Sequence, residues 1–286
     1  MQFAAARFSA AELVLAHGTT DPMAEATFLV AEAMHFAPDC IERVTATCVE
    51  PHEGKRILDL IDARIATRKP AAYLVQKIYQ RGVAFFIDER AIVPRSYIGE
   101  LLDSELFAGG TGALFDPSAV SRVLDLCTGS GCLAVLAAMR FPHATVDAVD
   151  ISADALAVAA QNVAAHGLAS RITLHHGDLF APLGDTRYDL IIANPPYVDA
   201  AGMAALPPEC RHEPPLALDG GPDGIAIVRQ IIDNAGQHLA RNAGLLCEIG
   251  RNRPVLEEAY PDTSFLWLDT EETSEEVFWL DAAQLI

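Results

Sequence analysis

No stretch of this 286-residue chain approaches the roughly 18 consecutive apolar residues of a membrane-crossing helix. No basic start followed by an apolar run marks a secretory leader. Lysine and arginine are scarce. Only 20 stand against 39 aspartates and glutamates, for a net charge of -19, and they form no dense run. That balance argues against direct nucleic-acid binding, where phosphates are met by basic stripes. A basic protein suits such a surface better. The six cysteines, at 40, 48, 127, 132, 210 and 247, include no CxxC pair and no zinc-ligand array. No metal is therefore expected, and scattered thiols fit the reducing cytosol. The chain is expected to be soluble and cytoplasmic, without internal repeats or low-complexity tracts.

What is present is a hydrophobic share of 51%, ample for a folded core. Residues 1–82 read as a small helical domain. Ser9 and Glu12 have the spacing of a capping box and predict a helix over 10–17, stopped at Gly18. Asp21-Pro22 opens a second helix, with Ala26, Leu29, Val30 and Ala33 along one face. A third runs over 52–67 on the stripe Ile57, Leu58, Ile61 and Ile65. Residues 83–96 read as a β-hairpin linker, in which 83–87 and 91–93 flank a turn at Asp88-Glu89-Arg90. Residues 97–286 form the main domain. It opens with a helix over 97–107, followed by a glycine-rich loop at 109–112. Apolar strands over 123–126, 145–149, 172–175, 190–193 and 245–249 alternate with alanine-rich helices such as 133–139 and 154–166. This pattern predicts an α/β fold with a parallel sheet covered on both faces. Segments 264–268 and 276–280 should close the sheet as an antiparallel pair.

The first strand meets its helix at Asp125-Leu126-Cys127-Thr128-Gly129-Ser130-Gly131-Cys132. Glycines there allow a tight turn and a close ligand approach, and the helix N-terminus offers free N–H groups. Asp150 ends the second strand, where a carboxylate can hold both hydroxyls of a ribose. After the third strand, Asp178 can accept from an adenine amine and Phe180 can pack on the ring. Gly129 to Ala134 also fits the dinucleotide pattern GxGxxA, so the loop by itself leaves a methyl donor and NAD open.

Asn194-Pro195-Pro196-Tyr197 closes the fourth strand, at the sheet edge where ligands gather in such folds. The Asn194 side-chain oxygen and the Pro195 carbonyl can accept the two N–H groups of a planar amide or amine. The two prolines stiffen that pair of acceptors in advance. The Tyr197 ring can stack on the flat group. An amide nitrogen is a poor nucleophile because its lone pair is delocalised, so held N–H groups are what attack on a sulfonium methyl would need.

These motifs resemble the class I protein-(glutamine) methyltransferases, whose fold is a Rossmann-like domain with a small N-terminal helical domain and a hairpin linker. The matches are Cys127 to Cys132, Asp150, Asn194 to Tyr197, Arg211-His212-Glu213-Pro214, Leu218 to Gly224 and Glu248-Ile249-Gly250. Pro94 to Leu101 resembles the PRSxIGEL segment of the branch acting on large-subunit ribosomal protein L-three. Release-factor enzymes carry an RPETE-like segment there. Arg7 to Ala11, His17-Gly18-Thr19, Cys127 and Tyr197-Val198-Asp199 point to the same branch. Tyr97 stands where that branch carries Pro, and Met23-Ala24 where it tends to carry Trp-Asp.

The resemblance implies S-adenosyl-L-methionine as cofactor, held at Asp125, Cys127, Thr128, Gly129, Ser130, Gly131, Asp150, Ile151, Asp178, Leu179 and Asn194. It implies catalytic roles for Asn194, Pro195, Pro196 and Tyr197, and places Glu213 and Asp223 on a loop that shapes the glutamine pocket. Ribosomal protein L-three is the implied substrate, and the N-terminal helices are the region expected to recognise it. A release factor is the nearest alternative. The others are an adenine amine of DNA or RNA and a non-catalytic module that binds the methyl donor.

Overall fold

A mainly helical N-terminal stretch and a longer stretch of alternating strands and helices divide the fold into two units. The computed structural model describes residues 1–36, 48–110, 113–114, 116–271 and 273–285. One unit comprises Met1–Arg95 and Leu206–Pro214, the other Ser96–Ala205 and Pro215–Ile286. Segment 206–214 thus belongs with the N-terminal residues, which the linear division 1–82, 83–96 and 97–286 does not contain. Cys40 and Thr111-Gly112 lie outside the described residues.

The first unit is built from helices α1 (Gln2–Ala10), α2 (Pro22–Ala33), α3 (Pro51–Thr67) and α4 (Ala71–Val75), followed by strands β1 (Lys77–Gln80) and β2 (Val83–Phe86). Ala4, Ala5, Phe8, Ala26, Leu29, Ile61 and Ala71 form its core. The Asp21 carboxylate caps α2 by accepting from the Met23 and Ala24 N–H groups. On α3 the stripe holds at Ile61, but Leu58 is 45% exposed.

Two expectations fail here. The first helix runs over Gln2–Ala10 and ends just past Ser9 instead of starting after it. Ala4, Ala5 and Phe8 supply its apolar face, and Glu12 turns left-handed at φ +49. Arg68 then takes the exposed Ala11 and Glu12 carbonyls at 2.9 and 3.0 Å, a cation at a helix C-terminus. The hairpin lies one strand earlier than expected. Residues 83–86 pair back onto 77–80 across Arg81 and Gly82, both at positive φ, as a tight hairpin turn requires. Residues 91–93 make no strand. Their backbone is spent on Tyr73 Oη, which donates to the Ala91 carbonyl, and on Glu213, which accepts from the Val93 N–H.

The second unit starts with α5 (Ile98–Asp103). The helix expected over 97–107 breaks at Ser104 and resumes as the 3-10 turn Glu105–Phe107. Then follow β3 (Arg122–Leu126), α6 (Cys132–Arg140), β4 (Thr145–Asp150), α7 (Ala153–Ala165), β5 (Ile172–His176) and β6 (Tyr188–Ala193). The unit ends with α8 (Ala200–Ala204), α9 (Ala226–His238), β7 (Leu239–Glu248), α10 (Arg253–Ala259), β8 (Leu266–Leu268) and β9 (Val277–Asp281). The strand order is β5-β4-β3-β6-β7-β9-β8. Strands β3 to β7 are parallel, and β9 runs antiparallel between β7 and β8. The central strands are buried on both faces, as their apolar runs require: Leu124, Leu126, Leu190, Ile191, Leu245 and Leu246 are all fully buried. Each such side chain contributes roughly 1.5–3 kcal/mol. Successive connections run outward in opposite directions from β3 and β6, so the crevice between them is a topological switch point. No described helix is long and apolar enough to cross a membrane.

Candidate functional site

At the switch point Leu126 pairs with Val149 on one side and Ala193 on the other. The residues that follow, Cys127 to Gly131, Asp150, and Asn194 to Tyr197, therefore leave the sheet together at its carboxyl edge. Cys127 takes φ +58, a left-handed conformation uncommon outside glycine, and Gly129 and Gly131 follow at +56 and +78. The turn is pinned by the Thr128 N–H donating to the Val149 carbonyl at 3.0 Å and by Asn162 Nδ2 donating to the Ser130 carbonyl at 2.8 Å. A Cβ on Gly131 would stand 3.0 Å from Ala159 Cβ, so glycine lets α6 close on α7. Below the turn Asp125 is fully buried and accepts from Thr128 Oγ1 at 2.5 Å; burial pushes its carboxyl up to about 7.

Asp150 closes the loop from the neighbouring strand. Its Oδ2 accepts from the Gly129 N–H and its Oδ1 from the Ser152 N–H, each at 2.8 Å. Burial raises its pKa. Each oxygen keeps a lone pair beyond its backbone donor, enough for a diol. Beside it Ile151 is 52% exposed, a large apolar side chain left facing solvent. Asp178 is exposed, and Leu179 is half-buried at φ +44. Phe180 does not serve as expected. It is buried in the core and stacks on His238 at 4.6 Å between ring centroids, so it is not left for a ligand ring.

The other side of the crevice is built on Asn194 to Tyr197. Asn194 is half-buried, yet its Oδ1 is shielded from solvent and accepts no hydrogen bond among the described residues. Such an atom costs about 1–3 kcal/mol when left unmet. Pro195 is buried and Pro196 half-buried. The Tyr197 backbone is clamped by the 218–224 turn. The Val198 N–H donates to the Leu218 carbonyl, and the Gly220 N–H to the Val198 carbonyl, both at 2.8 Å. Added Cβ atoms on Gly220 and Gly224 would meet the Tyr197 Cα and carbonyl oxygen at 2.7 Å. Asn252 Nδ2 donates to that same carbonyl at 2.7 Å. The Tyr197 ring lies against Gly250, where a Cβ would come within 2.8 Å of Cε2.

Glu248 ends β7 beneath this ring. It is buried, and burial pushes its carboxyl up to about 7. Oε2 accepts from Ser96 Oγ at 2.7 Å and from the Tyr97 N–H at 2.9 Å, while Tyr197 Oη donates to Oε1 over 3.4 Å. In the sequence Glu248 stands only within the resemblance at Glu248-Ile249-Gly250, and nothing local marks Asn252. The available signal for Glu248 is an acid at the end of an apolar run, two residues before a glycine.

The two loop acids are each held by partners within the protein. Both Glu213 oxygens lie in the first unit, bonded to Arg95 at 2.6 and 2.9 Å, with Oε1 also accepting from the Val93 N–H. Burial alone would raise its pKa, but His17 and Arg95 outweigh that and hold it at about 2. Asp223 accepts from the Ile225 N–H and pairs with Arg229 at 2.7 Å, fixing the entry to α9. Among the described residues one metal-ligand trio gathers, His17, Cys210 and Glu213. Its carboxylate is already neutralised by Arg95, so a cation there would face the guanidinium.

Comparison with known proteins accords with this geometry. The family described as Methyltransferase small domain matches residues 111–206. A ribosomal protein uL3 glutamine methyltransferase of Bradyrhizobium diazoefficiens is 63% identical, covering 100% of this chain and 90% of that protein. Proteins of the same description from Bordetella pertussis and Neisseria gonorrhoeae are 48% and 44% identical, each covering 100% of this chain and 94% of its relative. Among solved structures, the hMettl16 catalytic domain is 15% identical with a TM-score of 0.51. It covers 81% of this chain and 82% of that one, a likeness of fold alone.

Proposed function

The chain belongs to the ribosomal protein uL3 glutamine methyltransferase family, and from that premise we propose the reaction its site performs. It transfers a methyl group from S-adenosyl-L-methionine to the side-chain amide nitrogen of a glutamine in uL3. The observation that carries this reading is the shielded, unmet Oδ1 of Asn194 at the tip of β6. A primary amide supplies the N–H that this atom lacks. The Pro195 carbonyl lies next in the chain to take the second N–H, on a backbone stiffened by two prolines.

The methyl donor fits the opposite wall of the crevice. Asp150 offers its remaining lone pairs to ribose hydroxyls, and Ile151 offers an exposed apolar surface beside them. Asp178 stands exposed at the end of β5 to receive an adenine amine. When bound, the cofactor supplies an electrophilic methyl on sulfur. The protein's part is to orient the amide. Two accepted N–H bonds turn the nitrogen toward that carbon and relieve the positive charge that grows as the lone pair is withdrawn from resonance. Tyr197 bounds the flat face of the amide. The first unit serves as the region that recognises the protein substrate, and the acidic chain suits a basic one. The test is transfer of labelled methyl to purified uL3 and, in parallel, to a release factor, with peptide mapping of the product. Label on a uL3 glutamine supports the reading; label on the release factor alone overturns the substrate assignment.

A further inference from the structure

The Tyr197 backbone is immobilised by Gly220, Gly224 and Asn252, but a fixed Cα does not by itself set the side-chain torsions of the ring. Gly250 and Glu248 restrict rotation about them. Gly250 supports the face and edge of the ring, and the Glu248 carboxyl meets the hydroxyl at its far end. Glu248 is itself held through the other oxygen. Oε2 takes Ser96 Oγ and the Tyr97 N–H, which leaves Oε1 for Tyr197. Ser96 Oγ in turn accepts from the Ile98 N–H at 3.2 Å, so the start of α5 anchors the carboxyl.

We propose that Glu248 is a positioning residue for the methyl transfer, fixing the Tyr197 ring against the acceptor amide while its second oxygen is tethered to residues 96 and 97. This inference rests on the proposed reaction. The 3.4 Å separation between Tyr197 Oη and Oε1 is long for a hydrogen bond, so the contact steers the end of the ring more than it locks it. The burial of Glu248 matters as well. A carboxyl in the end of a central strand costs desolvation that a leucine would not, and its four lone-pair sites serve the two segments flanking the acceptor. Tyr97 supplies an N–H that proline at the same position would lack.

The test uses the full chain with uL3 and measures kcat, KM and donor affinity separately. Glu248→Ala should lower kcat about 10- to 100-fold with donor affinity changed less than about twofold. In a Tyr197→Phe background the same change should cost under about threefold, because its target hydroxyl is already gone. Tyr97→Pro should give a smaller loss of the same kind, and Glu248→Gln, which keeps an acceptor at Oε1, should recover most of the activity. Full additivity of Glu248→Ala and Tyr197→Phe would overturn the proposal, as would equal losses in kcat and donor affinity. A further measurement does not depend on the reaction. With isotope-labelled tyrosine, the Tyr197 ring resonances, assigned by Tyr197→Phe, should broaden or shift in Glu248→Ala and Tyr97→Pro, and stay near wild type in Glu248→Gln. Unchanged resonances in Glu248→Ala and Tyr97→Pro would overturn the positioning role even if wild-type protein methylates uL3. Should wild-type protein leave uL3 unmethylated, the reaction assignment falls and the resonances alone decide the positioning.

Discussion

Leu126 and Ala193 are register partners in the parallel pairing of β3 with β6, so Cys127 and Asn194, the next residue on each chain, leave the sheet side by side. That single pairing puts the glycine turn and Asn194 in one crevice. It also makes their roles separable, because each can be altered without moving the other strand.

Asn194→Ala should lower kcat at least about 100-fold, the scale of losing a preorganised hydrogen-bond partner, with donor affinity nearly unchanged. The same change removes a shielded acceptor that has no partner. Thermal stability should therefore hold or rise, by up to about 1–3 kcal/mol. Calorimetry and turnover on one preparation check both halves. A large loss of stability would mean that Asn194 belongs to the scaffold.

Asp150→Ala should weaken donor binding by roughly 1–3 kcal/mol, the scale of charge-assisted hydrogen bonds left unmade. Because Asp150 also accepts from the Gly129 and Ser152 N–H groups, Asp150→Asn, which keeps one acceptor oxygen, should bind better than the alanine variant. Isothermal titration with the donor's demethylated product avoids turnover. Equal affinity in all three proteins would reduce Asp150 to a turn residue.

Gly250→Ala tests the wall behind Tyr197. The new Cβ would stand 2.8 Å from the ring, at a φ of +55. A loss of about 1–3 kcal/mol in stability and a large fall in kcat are expected. Gly167→Ala is the control. It has φ +67 but nothing within 4 Å of the added atom. It should carry only the left-handed backbone cost of about 1 kcal/mol and keep its activity. Equal activity in the two variants would show that the Gly250 contact does not matter.

Two buried carboxyls should respond to pH with opposite sign. Glu213 is held at about 2 against an ordinary 4.5, so its stabilising contribution is complete above 4.5 and lost as the pH falls toward 2. Glu248 is raised to about 7, so its burial is best tolerated below 4.5 and becomes costlier as the pH rises through 7. Melting temperature against pH should lose slope below 4.5 in Glu213→Gln and between 4.5 and 7 in Glu248→Gln. Slopes identical to wild type in both windows would refute the assignment.

Much of the sheet was legible because a buried parallel strand must be apolar along its length, as 123–126 and 190–193 are. Asn194 to Tyr197 stood out because the whole motif lies within four residues of one strand end. Other features depend on partners far along the chain. Glu213 reads as a loop acid until Arg95 appears beside it, 118 residues away in sequence. Phe180 looked free for a ligand because nothing local announces His238. The hairpin was misplaced because Asp88-Glu89-Arg90 is as polar as a turn should be, while the actual turn is the pair Arg81-Gly82. Helix α9 was readable and went unread: Val228, Ile231, Ile232 and Ala235 have helical spacing. The insertion of β9 between β7 and β8 has no local signature at all.

Because 206–214 folds with the N-terminal residues, no single cut separates the chain into two self-sufficient pieces. A fragment beginning at Ser96 would keep Glu209 and Glu213 while discarding Arg68 and Arg95, the cations that neutralise them. It would then carry two acids shaped for burial on a loop with nowhere to bury them, only nine residues beyond Tyr197 at its nearest point. Engineering that grafts the N-terminal region onto another catalytic domain must therefore exchange this loop along with it.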